Sequence, residues 1–180
     1  MPAAAAAIQI IAQSAFLLLV TAAAVWDVAT LRIPNALVVA LAASFVPAAL
    51  AGGISAPTLA VHLGLAVLML AAGALLMMRG LWGGGDAKLA AALVLWAGWQ
   101  GLPALLMATA LAGGGLAVVV LLARCLPILK RSGSSSQPRD KAATIPLPYG
   151  VALAAGGLWW AVRAPSFALL WGNLLHPLGF

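Results

Sequence analysis

RGLWGGGDAKLAAALVLWAG, residues 79–98, sets an aspartate behind three glycines and ahead of a long apolar run. The run reads as a membrane helix, and the acid stands at its threshold. The rest of the chain agrees. Of 180 residues, 65% are hydrophobic and 7% are charged, with a mean hydropathy of +1.14. A soluble domain carries about 25% charged residues, so most of this surface has to face lipid. Only three acids occur in total: Asp27, Asp86 and Asp140.

A helix that crosses the hydrocarbon needs about 20 apolar residues. On that basis the sequence predicts an all-α, polytopic membrane protein with about six transmembrane helices, at roughly 8–28, 36–51, 58–79, 87–100, 102–123 and 145–163. AGGISAP separates the second and third, and WQGLP is expected to turn the chain between the fourth and fifth. Residues 1–180 are read as one integral-membrane domain. Within it, the polar, serine-rich and basic stretch at about 124–143 is expected to be a mobile loop, because it has too little apolar surface to offset the entropy of ordering. The opening segment has small residues suited to signal cleavage but lacks a basic region before its apolar stretch, and reads as a retained first helix. APSFALLWGNLLHPLGF, at the C-terminal end, is too short and too broken by proline to cross again, and is expected to lie along the interface.

Nine basic side chains fix the expected orientation. Arg32, Arg79, Lys88, Arg124, Lys130, Arg131, Arg139 and Lys141 all fall in alternate connections, and only Arg163 falls in the other set. The positive-inside rule then puts connections one, three and five in the cytoplasm and both termini outside. Trp26 and Trp82 are assigned to an inner aromatic belt. Trp96, Trp99, Trp159 and Trp160 are assigned to an outer one.

Several function classes are disfavoured. The net charge of +6 does not indicate nucleic acid, because the basic residues lie between apolar segments instead of forming a face interleaved with aromatics. Cys125 is alone, which excludes an internal disulfide and any multi-cysteine zinc site. His62 and His176 lack ligand-spaced neighbours and are expected to be packing or interfacial residues, so no metal and no cofactor is assigned.

In the expected topology Asp27 ends the first helix and Asp86 begins the fourth, at one depth on one face. An acid near hydrocarbon costs a few kcal/mol or more, and so reads as functional by default. Asp140, in the polar loop, needs no such reading. Two carboxylates held close share a proton. The ionised one can take a proton from water attacking a peptide carbonyl, while its protonated partner polarises that carbonyl or protonates the leaving amine. The plainer alternatives are that Asp86 caps its helix and that Asp27 is an interfacial carboxylate near Arg32.

The surrounding words favour chemistry. DVATLRIPN (27–35) resembles the first-aspartate motif of prepilin peptidases, GGGDAKL (83–89) resembles their GxGD motif, and PLPYGVALAAG (146–156) is similar to the segment that leads into their last helix. The resemblance implies a membrane aspartic endopeptidase of the type IV prepilin peptidase family. Such an enzyme removes the short basic leader from type IV prepilins or pseudopilins at the cytoplasmic face of the bacterial inner membrane. Asp27 and Asp86 are then the catalytic pair. Pro34 enforces a turn and Asn35 is expected to cap the second helix. Gly83 and Gly85 shape the loop that delivers Asp86. Lys88 is expected to hold a lipid phosphate or a substrate carboxylate, or to snorkel. Pro148, Tyr149 and Gly150 are expected to pack beside the dyad.

Larger members of the family carry an extra cytoplasmic domain with four zinc-binding cysteines, and also methylate the new pilin N-terminus. Here the first connection is a few residues long and the lone cysteine lies elsewhere, which argues against methyltransferase activity. The compact form resembles the prepilin peptidases of tight-adherence (Flp) pilus systems, or a minimal type IV form. The expected partners are the prepilin and membrane lipid. The main alternative is a small proton-coupled transporter or channel that uses both aspartates as a relay; an inactive scaffold for pilus assembly is a further one.

Overall fold

The computed structural model describes residues 3–125 and 149–175, which are helical nearly throughout and include no strand. In order they form α1 (Ala3–Thr30), α2 (Asn35–Ala51), α3 (Ala56–Met78), α4 (Gly84–Cys125) and α5 (Tyr149–Arg163). A single 3-10 turn (Pro165–Phe167) and α6 (Ala168–Leu175) follow. Helices are the natural outcome in lipid, where every backbone N–H and C=O has to find its partner within the segment. By length and hydropathy α1, α3 and α4 can each cross a membrane. The pair α5 and α6, bent by 70°, qualifies together, and α2 is a shorter apolar helix of 17 residues. The chain is thus an all-α, polytopic membrane protein.

The breaks follow local chemistry. Gly53 (φ 64°) and Gly80 (φ 70°) supply left-handed backbone after α2 and α3. Ser55 caps α3, its hydroxyl accepting from the Thr58 amide at 3.4 Å. The first connection instead uses Leu31, the only non-glycine at positive φ (53°) among the described residues.

α4 is formally one helix of 42 residues, but Gly98 interrupts it with φ 59° and ψ −167°. Contacts with α5 show that the chain doubles back there. Leu93 lies against Gly157 and Thr109 against Gly156. Residues 93 and 109 would be about 24 Å apart in a straight helix, yet they meet neighbouring positions on α5. Farther along, Gly101 lies at Trp160 and Gly113 at Ala152, so the second half runs antiparallel to α5. The reversal comes just before the expected WQGLP turn, because Gly98 can adopt the required left-handed angle and a side chain there would strike the His62 ring. The Leu95 carbonyl lies three residues before the break. His62 Nδ1 takes it at 2.7 Å, so His62 does pack, one of the two roles expected of it.

The first half of α4, residues 84–97, is the axis of the bundle. Every residue from Leu89 to Ala97 is buried, whereas α3 buries only Gly73. Around it Phe16 meets Trp96, Trp160 and Phe167 at ring-centroid distances of 4.9, 5.9 and 5.4 Å, and Trp96 donates to the Leu41 carbonyl at 3.0 Å. Trp96 and Trp160 are therefore core residues, 7% and 6% exposed, and not part of an outer belt. Trp99 and Trp159 are exposed. The C-terminal segment is also more integrated than an interfacial strip. Phe167 and Leu170 are buried, and the Ser166 carbonyl accepts from Gln13 Nε2 on α1. The expected loop at 124–143 lies outside the described residues, apart from the end of α4 at Cys125, as do Asp140, Pro148 and His176.

Candidate active site

Asp27 sits in the last turn of α1, 4% exposed. The helix closes as the Leu31 amide donates to the Asp27 carbonyl at 2.8 Å, and Leu31 then turns left-handed. The Thr30 hydroxyl lies 2.8 Å from the Trp26 carbonyl and 3.0 Å from that of Arg32, bracing the reversal. Pro34, in extended conformation (φ −61°, ψ 134°), starts α2. Chain direction therefore reverses within residues 31–34, which pushes Ile33 inward until it is 9% exposed.

Ile33 is the hub of the site. A Cβ on Gly85 would stand 3.3 Å from Ile33 Cβ. One on Gly150 would stand 2.9 Å from Ile33 Cδ1, 2.8 Å from Asp27 Cγ and 2.7 Å from Asp27 Oδ2. Both glycines are thus required by close approach, and Gly150 packs beside Asp27 as expected. It lies in the first turn of α5, where the Gly150 and Val151 amides face the Asp27 carboxylate. That is the helix end whose free N–H groups favour an anion. The other oxygen, Oδ2, is buried without a hydrogen-bond partner.

Asp86 lies in the first turn of α4, half-buried, and within electrostatic reach of Asp27. Gly83 precedes the helix, its carbonyl accepting from the Ala87 amide at 3.1 Å. A Cβ on Gly83 would come within 2.7 Å of Asp86 Oδ2, so this glycine leaves the space that the carboxylate occupies.

Other expected residues take different places. Asn35 does not cap α2: it is the first helical residue behind Pro34, and no side chain caps that end. Its Oδ1 instead accepts from Lys88 Nζ at 2.9 Å, tying the start of α2 to the start of α4. Tyr149 is 46% exposed at the head of α5. Ile33, which the sequence assigns no role, joins the site because the reversal at Leu31 turns it inward.

Two carboxylates, one buried and one half-buried, converge at one end of the bundle, and of the two Asp86 has the greater access to the outside. Among the described residues no group of three or more His, Cys, Asp or Glu could hold a metal. The arrangement suits proton transfer to and from a water and a peptide carbonyl. No curated protein and no solved structure matches the chain. The model of the type IV leader peptidase family matches residues 14–118, more than half of its length, a stretch that holds both aspartates, the reversal at Ile33 and the three glycines before Asp86. The chain belongs to the type IV leader peptidase family, a family of proteases.

Proposed function

We propose that the protein is an aspartic endopeptidase that cleaves the leader from a type IV prepilin or pseudopilin at the cytoplasmic face of the inner membrane, with Asp27 and Asp86 as its catalytic dyad. One observation carries the reading: Asp27, Asp86, Ile33 and Gly150, from three distant parts of the chain, meet at a single end of the bundle. In the proposed reaction the ionised carboxylate removes a proton from water as the water oxygen bonds to the scissile carbonyl carbon. The protonated carboxyl hydrogen-bonds the developing oxyanion. As the tetrahedral intermediate collapses, the C–N bond breaks and the amine takes up the proton that the first carboxylate removed from water, which returns the dyad to its starting state.

The six apolar rods, α1 to α3, the two halves of α4, and α5, are proposed to cross in alternation, which keeps the dyad on the side of the basic connections. A prepilin's cut site adjoins its hydrophobic helix, so the scissile bond is presented at that same interface. A helical peptide bond already has its carbonyl paired. The substrate must therefore be locally extended when water attacks.

The test is conversion of a co-expressed prepilin to its shorter form. Asp27→Asn and Asp86→Asn are each expected to abolish conversion with the enzyme still inserted in the membrane. Substantial processing by either variant sinks the dyad. Proton uptake into proteoliposomes that lack any prepilin is the result expected of a transporter instead.

A further inference from the structure

The other end of the bundle holds a feature that peptide cleavage does not use. A cavity of about 980 Å³ opens between the ends of α1, α2, α3 and α5 and the Gly98 reversal. It lies at the far end of the central rod from Asp86, since Ala97 lines it. Its volume is at the upper end of the range for small-molecule sites, about 300–1,000 Å³. The walls are mainly apolar and aromatic, with Phe45, Trp96, Trp99, Trp159 and Trp160 among them.

Among the polar side chains of this wall, His62, Gln13 and Arg163 bear on what it could hold. His62 Nδ1 donates to the Leu95 carbonyl, which can only accept, so Nε2 is the ring nitrogen left for a ligand. Gln13, 2% exposed, gives its Nε2 to Ser166 and leaves Oε1 without a partner. Of the two, Gln13 Oε1 is a buried acceptor without a donor. At the rim Arg163 stacks over the Trp159 ring at 4.0 Å, which steadies its planar fork. The guanidinium has no hydrogen bond or ion pair among the described residues. Asp27 and Asp86 lie at the opposite end of the bundle, so nothing described near this mouth balances its charge.

We propose that this cavity binds the head of an anionic, hydroxyl-bearing phospholipid. Its phosphodiester sits on Arg163, its hydroxyl donates to His62 Nε2 or Gln13 Oε1, and its chains lie against the aromatic wall. Arginine matches phosphate geometry with two parallel N–H donors. The apolar wall favours a lipid over a free phosphate ester, which would leave that surface wet. The inference does not depend on the protease reading.

The test uses the full chain in a neutral detergent, with bound lipid counted by native mass spectrometry. Phosphatidylglycerol is expected to bind at one per chain, at least about tenfold more tightly than phosphatidylcholine, a loss of one charge-assisted contact being worth about that factor. Arg163→Gln should reduce the preference to near unity. Ala104→Phe, at an exposed position lining the cavity, should fill the space and remove the site. An unchanged thermal midpoint for both variants shows that the fold is kept. Equal binding of the two lipids, or undiminished phosphatidylglycerol binding by either variant, overturns the site. If soluble glycerol phosphate binds as tightly as the lipid, the lipid assignment is wrong.

Discussion

Gly150→Ala puts the geometry of the proposed dyad to its most direct test. The added methyl carbon would stand 2.8 Å from Asp27 Cγ and 2.9 Å from Ile33 Cδ1. Non-bonded carbons settle at about 3.5–4.0 Å, so each neighbour must retreat by about 0.6 Å or more. They flank the methyl together, and Asp27 is buried, so the carboxylate cannot simply swing into solvent. A displacement near 1 Å at a reacting group costs about 100-fold in rate, equivalent to about 2.7 kcal/mol of barrier. Overpacking should also lower stability by about 1–3 kcal/mol. The two effects separate when single-turnover prepilin cleavage is measured well below the thermal midpoint, at equal inserted enzyme. A second change sharpens the test. Ile33→Val removes Cδ1 and opens one side, so the double variant should recover part of the lost rate, a non-additivity expected of residues in contact. If Gly150→Ala cleaves within about threefold of wild type, the contact between α5 and the carboxylate does not set the geometry of the reaction, and the reasoning fails.

Gly83→Ala should slow cleavage by a smaller factor, about tenfold, because the methyl meets only the movable tip of the Asp86 carboxylate at 2.7 Å; Gly83→Val should be worse, and parallel kinetics of the two variants check this. Gly113→Ala should cleave like wild type, since its methyl would rest 3.5 Å from Ala152 Cβ, an ordinary contact. Leu31→Gly should raise the thermal unfolding midpoint, because the relief of a left-handed leucine, about 1–2 kcal/mol, exceeds the extra chain entropy of glycine, about 0.5–1 kcal/mol; a fall in the midpoint refutes this. For topology, a reporter fused within residues 133–137 should behave as cytoplasmic and one at Phe180 as external, following the eight-to-one division of basic residues; if both report the same side, a crossing has been miscounted.

Much of this architecture could be read from the chain because lipid leaves few options. Apolar runs divided by Gly-Gly, Pro and Arg can hardly be other than helices, and the fold-back near residue 100 was visible as a cluster of Gly and Pro. Asp27 and Asp86 stood out because acids are scarce here and each sits in a recognisable motif. What stayed hidden was which side of each helix faces protein. In water, the apolar stripe marks the core. In lipid, both surfaces are apolar, so the wholly buried run 89–97 and the almost bare α3 look alike in sequence. For the same reason Trp96 and Trp160 read as belt residues. Ile33 was hidden differently: its burial depends on the left-handed turn at Leu31, and leucine carries no signal for that conformation.

The length of the central rod links the two ends of the molecule. Residues 84–97 form a helix of about 21 Å, whereas the hydrocarbon is about 30 Å thick. If the longer helices around it span that thickness, roughly 9 Å of depth has to be made up at the two ends of the rod. At one end the shortfall sets Asp86 back among its neighbours, beside Asp27. At the other it helps to leave the open cavity next to the Gly98 reversal. Glycine sets both limits, through the run before Asp86 and through Gly98. A longer rod would carry Asp86 out toward water, where its charge is better solvated and the proximity of Asp27 matters less. On this view the brevity of the rod, more than the identity of any residue within it, is what allows two carboxylates to meet in a partly buried recess.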